Sequence, residues 1–200
     1  MTDHPTYELL EPVGTGALAT VYRARDLSLQ RDVAIKALKD EVRADPVRSQ
    51  PLYDAAQFLA GLSHENIVQV YGLDRERGWL VMELLPGSLA RRVERGPLPP
   101  DLVRSVLQQA LKGLQALHEQ KKLHGAVKPS NLLIDDRGRV KLGDSAGLSL
   151  SGEVRRPEGG PKYLAPELIN PEFGAVGPGV DLYALGFTAL ELLKGPGFDR

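Results

Sequence analysis

Apolar residues in the first part of the chain come in short runs cut by glycine, proline and charge. Tyr7 to Val13 reads as extended, Gly14-Thr15-Gly16 as a turn, and Thr20 to Arg25 as a second strand. Val33-Ala34-Ile35-Lys36-Ala37-Leu38 is a short, apolar-rich third strand. Pro46 and Pro51 flank a polar stretch, after which Leu52, Ala55, Ala56, Leu59 and Leu62 share one face of a helix with Pro51 in its first turn. Ile67 to Tyr71 and Trp79 to Leu84 give two further strands across the charged turn Asp74-Arg75-Glu76-Arg77-Gly78. From Leu85-Pro86-Gly87-Ser88, which reads as a hinge, the period changes. Val103, Val106, Leu107, Ala110, Leu111, Leu114 and Leu117 recur at helical spacing from near Asp101. Two short strands, Leu132 to Ile134 and Val140 to Leu142, enclose the turn Asp135-Asp136-Arg137-Gly138. Gly143 to Gly160 reads as a loop, and an apolar helix covers Val180 to Leu193. Strands thus gather in residues 1–84 and helices in residues 85–200.

Composition narrows the class. The chain is 42% hydrophobic and 26% charged, enough apolar matter for a core in an ordinary globular protein. A net charge of -1 gives no footing for nucleic acid or an anionic membrane, and Arg91-Arg92 and Arg155-Arg156 are too small to form a basic patch. There is no cysteine, which excludes disulfides, thiolate catalysis and cysteine-ligated zinc and fits a reducing compartment. Met1-Thr2-Asp3-His4-Pro5 lacks a basic-then-apolar pattern, so no signal peptide is expected. Leu182 to Leu193 is too short to span a bilayer. The expectation is a soluble, cytoplasmic protein.

Several motifs carry chemistry. His124-Gly125-Ala126-Val127-Lys128-Pro129-Ser130-Asn131 resembles the catalytic loop of a protein kinase, whose pattern runs His-Arg-Asp and, after a spacer, Asn. Gly14-Thr15-Gly16-Ala17-Leu18-Ala19-Thr20-Val21 resembles the Gly-rich loop, with Ala19 at its third glycine. Glycine matters there because backbone amides must approach phosphate closely. Val33-Ala34-Ile35-Lys36 resembles the strand bearing the phosphate-binding lysine, and Met82-Glu83-Leu84-Leu85 the gatekeeper and hinge that meet adenine. Counting back from Leu62-Ser63-His64-Glu65-Asn66-Ile67-Val68 places Asp54 where the family has the glutamate that pairs with that lysine. Asp144 stands where Asp-Phe-Gly begins, followed here by Ser145 and Ala146. Gly159 to Glu167 resembles the end of an activation segment, and Asp181-Leu182-Tyr183-Ala184-Leu185-Gly186 the start of the helix that anchors the catalytic loop. In this order, over residues 7 to 198, the motifs make the resemblance to protein kinases, above all the bacterial serine/threonine type, strong.

The resemblance implies an α+β, two-lobed kinase-like fold: a β-rich small lobe in 1–84 and a helical large lobe in 85–200. The family's large lobe continues well past the helix at Asp181, so an incomplete large lobe is expected, with Glu167 short of its usual arginine and Leu182 to Leu193 short of cover. The resemblance also implies ATP and Mg2+ as ligands. Gly14, Gly16, Val21, Ala34, Lys36, Asp54, Met82, Glu83, Leu85, Asn131, Leu133 and Asp144 would surround the nucleotide, and Asn131 and Asp144 would hold the metal. Lys36, Lys128 and Asp144 are the catalytic candidates.

The departures lie at the chemistry. Ala126 replaces the aspartate that accepts the substrate proton, Gly125 the arginine, Gly160 the threonine and Ser145 the phenylalanine. General-base catalysis contributes on the order of a hundred- to ten-thousand-fold. The leading expectation is a pseudokinase that binds ATP weakly and serves as a nucleotide-responsive binding or scaffold module for an unidentified protein partner, with self-association through the incomplete lobe as one outlet. The alternatives are a serine/threonine kinase with residual transfer and a truncated remnant. With Gly125 in place of arginine, phosphorylation of Ser145, Ser149 or Ser151 is not expected to activate.

Overall fold

The structure is a computed structural model that describes residues 6–144, the backbone of 149–150, and 161–195. Its backbone contacts divide the chain into two compact units, Met1–Ser63 with Gln69–Leu85 and His64–Val68 with Pro86–Arg200.

The first unit is an antiparallel sheet with helices. Its strands are β1 (Tyr7–Thr15), β2 (Ala19–Asp26), β3 (Arg31–Leu38), β4 (Val70–Asp74) and β5 (Trp79–Met82), in spatial order β1-β2-β3-β5-β4. Between β3 and β4 lie the short α1 (Asp40–Arg43) and α2 (Pro46–Ala60). Side chains alternate across the sheet, and one face buries Ala24, Val33, Ile35 and Val81, with Tyr7 and Trp79 packed against them. The edge strand β1 is mostly exposed, and its register shifts on either side of Pro12, which has no amide to offer a ladder. Helix α2 begins earlier than its apolar period suggests. Asp45 caps it by accepting from the Val47 amide at 2.9 Å, Pro46 takes the first position, and Pro51 sits inside rather than in the first turn. Pro51 forgoes one helical hydrogen bond there.

The second unit begins with His64–Val68, and this segment changes the strand expected at Ile67–Tyr71. Val68 N donates to Leu142 O at 2.9 Å and Leu142 N to Asn66 O at 2.8 Å, so Ile67 bridges to a strand of this unit and β4 starts only at Val70. The other elements are β6 (Gly87–Ser88), α3 (Leu89–Val93), α4 (Pro100–Glu119), β7 (Lys122–Leu123), β8 (Leu132–Ile134), β9 (Val140–Leu142), β10 (Ser149–Leu150), α5 (Pro166–Ile169) and α6 (Gly179–Lys194). β6, β8 and β9 form one small sheet, and β10 pairs with β7. The α4 stripe Val103, Val106, Ala110, Leu114 and Leu117 is buried at helical spacing. It packs against α6 and β9. Gly113 lies on the same side, where a Cβ would stand 2.7 Å from Asn66 O and 2.8 Å from Leu142 Cδ1. α6 buries Val180, Ala184, Leu185, Thr188 and Leu192 and leaves Leu182, Tyr183, Leu190 and Leu193 exposed. Among the described residues no helix is long and apolar enough to cross a membrane.

Candidate functional site

The candidate residues fall into two groups, one on each unit. On the sheet of the first unit, strand register decides which side chains share a face. Val21 is opposite Lys36 across β2 and β3, and Ala34 is opposite Met82 across β3 and β5. Lys36 and Ala34 are two residues apart and so point the same way. Val21, Ala34, Lys36 and Met82 therefore gather on the face opposite the Ala24-Val33-Ile35-Val81 core. Lys36 is 8% exposed, unusually buried for an ammonium group. The β1–β2 turn closes through Gly16 N to Ala19 O at 2.9 Å, while Gly14 pairs with Val21 and a Cβ on it would meet nothing within 4 Å. Glu83 continues from β5, its amide donating to Gln69 O at 2.9 Å, and Leu85 is half-buried.

Asp54 is corrected. Its side chain is exposed and accepts from Gln50 Nε2 at 2.6 Å, so it does not pair with Lys36. The buried positions of α2 are Ser49, Leu52, Tyr53, Ala55, Ala56 and Leu59, and Asp54, the only carboxylate of the helix, lies outside that face. Helix geometry leaves no choice here, since a step of one residue turns the side chain by about 100°. The helix offers no inward carboxylate to the lysine.

The second group lies on the loop that follows β7. His124 and Gly125 are buried, and Gly125 has φ +68, a backbone state that a side chain disfavours. Both residues hang on Asp181, the third residue of α6. The His124 amide donates to Asp181 Oδ2 at 2.9 Å and the Gly125 amide to Oδ1 at 2.7 Å. His118 Nε2 on α4 also reaches Oδ2, at 2.8 Å. Burial alone would raise the Asp181 carboxyl, but the hydrogen bonds from His118 and from the two loop amides outweigh it, and its pKa lies below the usual carboxylate value.

His124 works in the neutral form. Its Nδ1 accepts from the Ala126 amide at 3.3 Å, so Nε2 carries the proton and donates to Gly143 O at 3.2 Å. Burial holds the imidazole below its ordinary pKa. Asn131 then fixes position 126 from the other end, Nδ2 donating to Ala126 O at 2.8 Å. Asn131 O accepts from Gly143 N at 2.8 Å, which ties the loop to the residue preceding Asp144. Asp144 is exposed with φ +51, Lys128 is half-buried before the turn Pro129–Asn131, and Leu133 packs near Gly143. Asn131 Oδ1 and the Asp144 carboxylate are hard oxygen donors of the kind that suit Mg2+, which takes a few protein oxygens and fills its remaining sites with phosphate and water.

Further along, Lys162 Nζ lies 3.2 Å from Glu191 Oε2, and the Tyr163 hydroxyl donates to the same oxygen. These contacts pin the segment before Pro166 onto α6. Glu167 is half-buried. Gly159, Gly160, Ser145, Ala146 and Ser151 lie outside the described residues, as does the Ser149 side chain. His118 carries no motif that would mark it for the site; a half-buried histidine on the last turn of an apolar stripe is the one signal it gives.

Comparison with protein families matches residues 7–198 to the one described as Protein kinase domain. The serine/threonine-protein kinase PknL of Mycobacterium tuberculosis is 35% identical over 201 residues, covering 94% of this chain and 49% of that protein. PrkC of Bacillus subtilis, also a serine/threonine-protein kinase, is 32% identical over 198 residues, with 94% of this chain and 30% of that protein covered. The serine/threonine-protein kinase TAO2 of Homo sapiens is 34% identical over 190 residues, with 92% and 15% covered. The chain thus spans about half the length of PknL and less of the others.

Proposed function

This chain belongs to the protein kinase family, and we propose that within it the chain binds ATP while lacking effective phosphoryl transfer, acting as a nucleotide-responsive module for a protein partner. The observation that carries the reading is the state of position 126. Its backbone is held on both sides, by Asn131 Nδ2 at its carbonyl and His124 Nδ1 at its amide, yet its side chain is a methyl group. The loop keeps its shape and lacks the proton acceptor.

The residues for a nucleotide are better kept. Val21, Ala34 and Met82 offer an apolar surface for a base on the first unit, and Lys36 a buried cation for phosphate. Asn131 and Asp144 would hold Mg2+ on the second. The metal, when bound, supplies positive charge at the phosphate oxygens. Without an inward carboxylate on α2 to orient Lys36, binding is expected to be weak. Gly14, Gly16, Glu83 and Leu85 are the further nucleotide candidates on the first unit, and Leu133 and the catalytic candidate Lys128 lie on the second. The membership of PknL and PrkC in the serine/threonine class makes protein hydroxyls the substrate class, should transfer remain.

Two measurements test this. MgATP should raise the melting temperature by about 1–2 °C at a concentration equal to Kd, where mass action gives about 0.4 kcal/mol. The parent chain should transfer little phosphate to a generic basic protein, and Ala126→Asp should raise transfer on the order of a hundredfold or more. Parent activity equal to that of Ala126→Asp, abolished by Asp144→Ala, would replace this reading with that of a working serine/threonine kinase. No response of the melt to MgATP would leave only a protein-binding role.

A further inference from the structure

We infer that Arg23 is a positioning residue for the Gly14–Gly16 turn, acting through the bulged end of β1. Its consequence for nucleotide rests on the reading proposed above; its effect on the strand does not. Leu9 faces Ala24 and Pro12 faces Tyr22, so Leu10 and Glu11 together stand opposite the single residue Arg23. Between Pro12 and Gly14, which faces Val21, the strand holds a second extra residue, Val13. An extra residue bends its strand and interrupts the ladder. Each one-residue slip also exchanges the faces to which the following side chains point, so two slips restore them. Gly14 therefore comes opposite Val21, on the Lys36 side of the sheet, only with both extra residues in place. Pro12 lies between them and has no amide to donate. The backbone ladder is thus interrupted over residues 10–13, the stretch that aims the turn.

A chain of charges across three strands ties this stretch down. Arg23 donates to Asp32 Oδ2 on β3 from Nε at 3.0 Å and from Nη2 at 2.6 Å, and its Nη1 reaches Glu11 Oε1 on β1 at 3.3 Å. Arg25 Nη1 holds the other oxygen of Asp32, Oδ1, at 2.9 Å. The hydrogen bonds from Arg23 and then Arg25 keep the Asp32 carboxyl below the usual carboxylate value, so at neutral pH it only accepts. Isolated surface pairs contribute little, but several charges that share partners form a network, which is the exception. Because the guanidinium is planar, its two bonds to β3 fix the direction of the arm that meets the bulge. A lysine in its place would offer one ammonium to two carboxylates. The side chains of Arg23 and Glu11 are 43% and 58% exposed, so salt weakens the tie.

The test is amide hydrogen exchange of Leu10, Glu11, Val13 and Gly14 in the full chain, for Glu11→Gln, Arg23→Gln, their double variant and Arg25→Gln. At low salt, protection relative to the unfolded chain should fall about two- to fivefold in Glu11→Gln and in Arg23→Gln, the range expected of exposed ion pairs. The double variant should lose no more than the worse single one, because both remove the same link. Arg25→Gln leaves that link standing and should change less than either. At about 1 M salt, where the screening length is about 3 Å, the variants should match the parent. MgATP, titrated at low salt, should bind about two- to fivefold more weakly to Glu11→Gln and Arg23→Gln. Unchanged protection in Arg23→Gln, or losses that add in the double variant, would overturn the assignment. Differences that persist at high salt would also overturn it, tracing them to the packed arginine stem. Lost protection beside an unchanged Kd would overturn the role in aiming the turn. A parent that binds no MgATP would remove the nucleotide reading, and the exchange rates alone would then decide whether Arg23 holds the bulge.

Discussion

Glycine to alanine inside a helix ordinarily stabilises, by about 1 kcal/mol. At Gly113 the structure predicts the opposite sign. The added methyl would stand 2.7 Å from Asn66 O and 2.8 Å from Leu142 Cδ1. The oxygen is the harder obstacle, because it is backbone and already accepts from Leu142 N at 2.8 Å, while the Asn66 side chain donates to Val140 O at 2.8 Å. Relief requires moving a segment fixed at both ends to β9. Overpacking in such settings costs about 1–3 kcal/mol, and two contacts this short place the cost in the upper part of that range. Subtracting the helix gain leaves about 1–2 kcal/mol of net destabilisation, or about 2–8 °C in melting temperature for a chain of this size. Gly186 is the internal control. It is an exposed position of α6 where an added methyl would meet nothing within 4 Å, so Gly186→Ala should raise the melt by about 2–4 °C. Melts of the parent and both variants under identical buffer decide the matter. If Gly113→Ala is as stabilising as Gly186→Ala, the close approach of Asn66 O to α4 is wrong.

Acid should destabilise in two stages. Burial keeps His124 below its ordinary pKa, so the unfolded chain takes up a proton near pH 6.5 that the folded chain refuses; stability is full above that pH and falls below it by up to about 1.4 kcal/mol per pH unit. Asp181, held below the usual carboxylate value, adds a second loss as pH falls below about 4. A melting temperature flat from pH 7.5 to 5 would contradict a neutral His124. Gly125→Arg should cost about 1 kcal/mol, because φ +68 disfavours a side chain; an unchanged melt would count against that conformation. Asp54→Ala should leave the MgATP-induced shift untouched while Lys36→Ala removes it; equal losses would return Asp54 to the site.

Where the chain's own pattern was unambiguous, the fold followed it. The short runs Leu132–Ile134 and Val140–Leu142 became β8 and β9 with those bounds, around a turn whose Gly138 has φ +78. The start of α2 was obscured because Pro51 reads as a first-turn residue before the apolar period, whereas the Asp45 cap puts Pro46 in that position. Asp54 shows a conflict between two kinds of reading. Motif counting put it opposite Lys36, whereas the apolar set Leu52, Ala55, Ala56 and Leu59 already assigned the inward face to its neighbours. Periodicity was the better guide, since burial is what the helix must satisfy first. His118 was out of reach for a different reason: its partner lies 63 residues on, and nothing local marks the pair.

The loop separates two demands that a kinase normally joins. His124, Gly125 and Asp181 are buried, and their hydrogen bonds stabilise the second unit, since an unpaired buried carboxylate is expensive. Ala126 answers no such demand. It is half-buried, it joins the network through its backbone amide and carbonyl, and its side chain contributes nothing to either bond. Position 126 can therefore change from carboxylate to methyl without disturbing the anchored backbone. The same independence makes Ala126→Asp a sharp experiment: the melt should move little, so any phosphoryl transfer that appears reports the restored base and not a repaired fold.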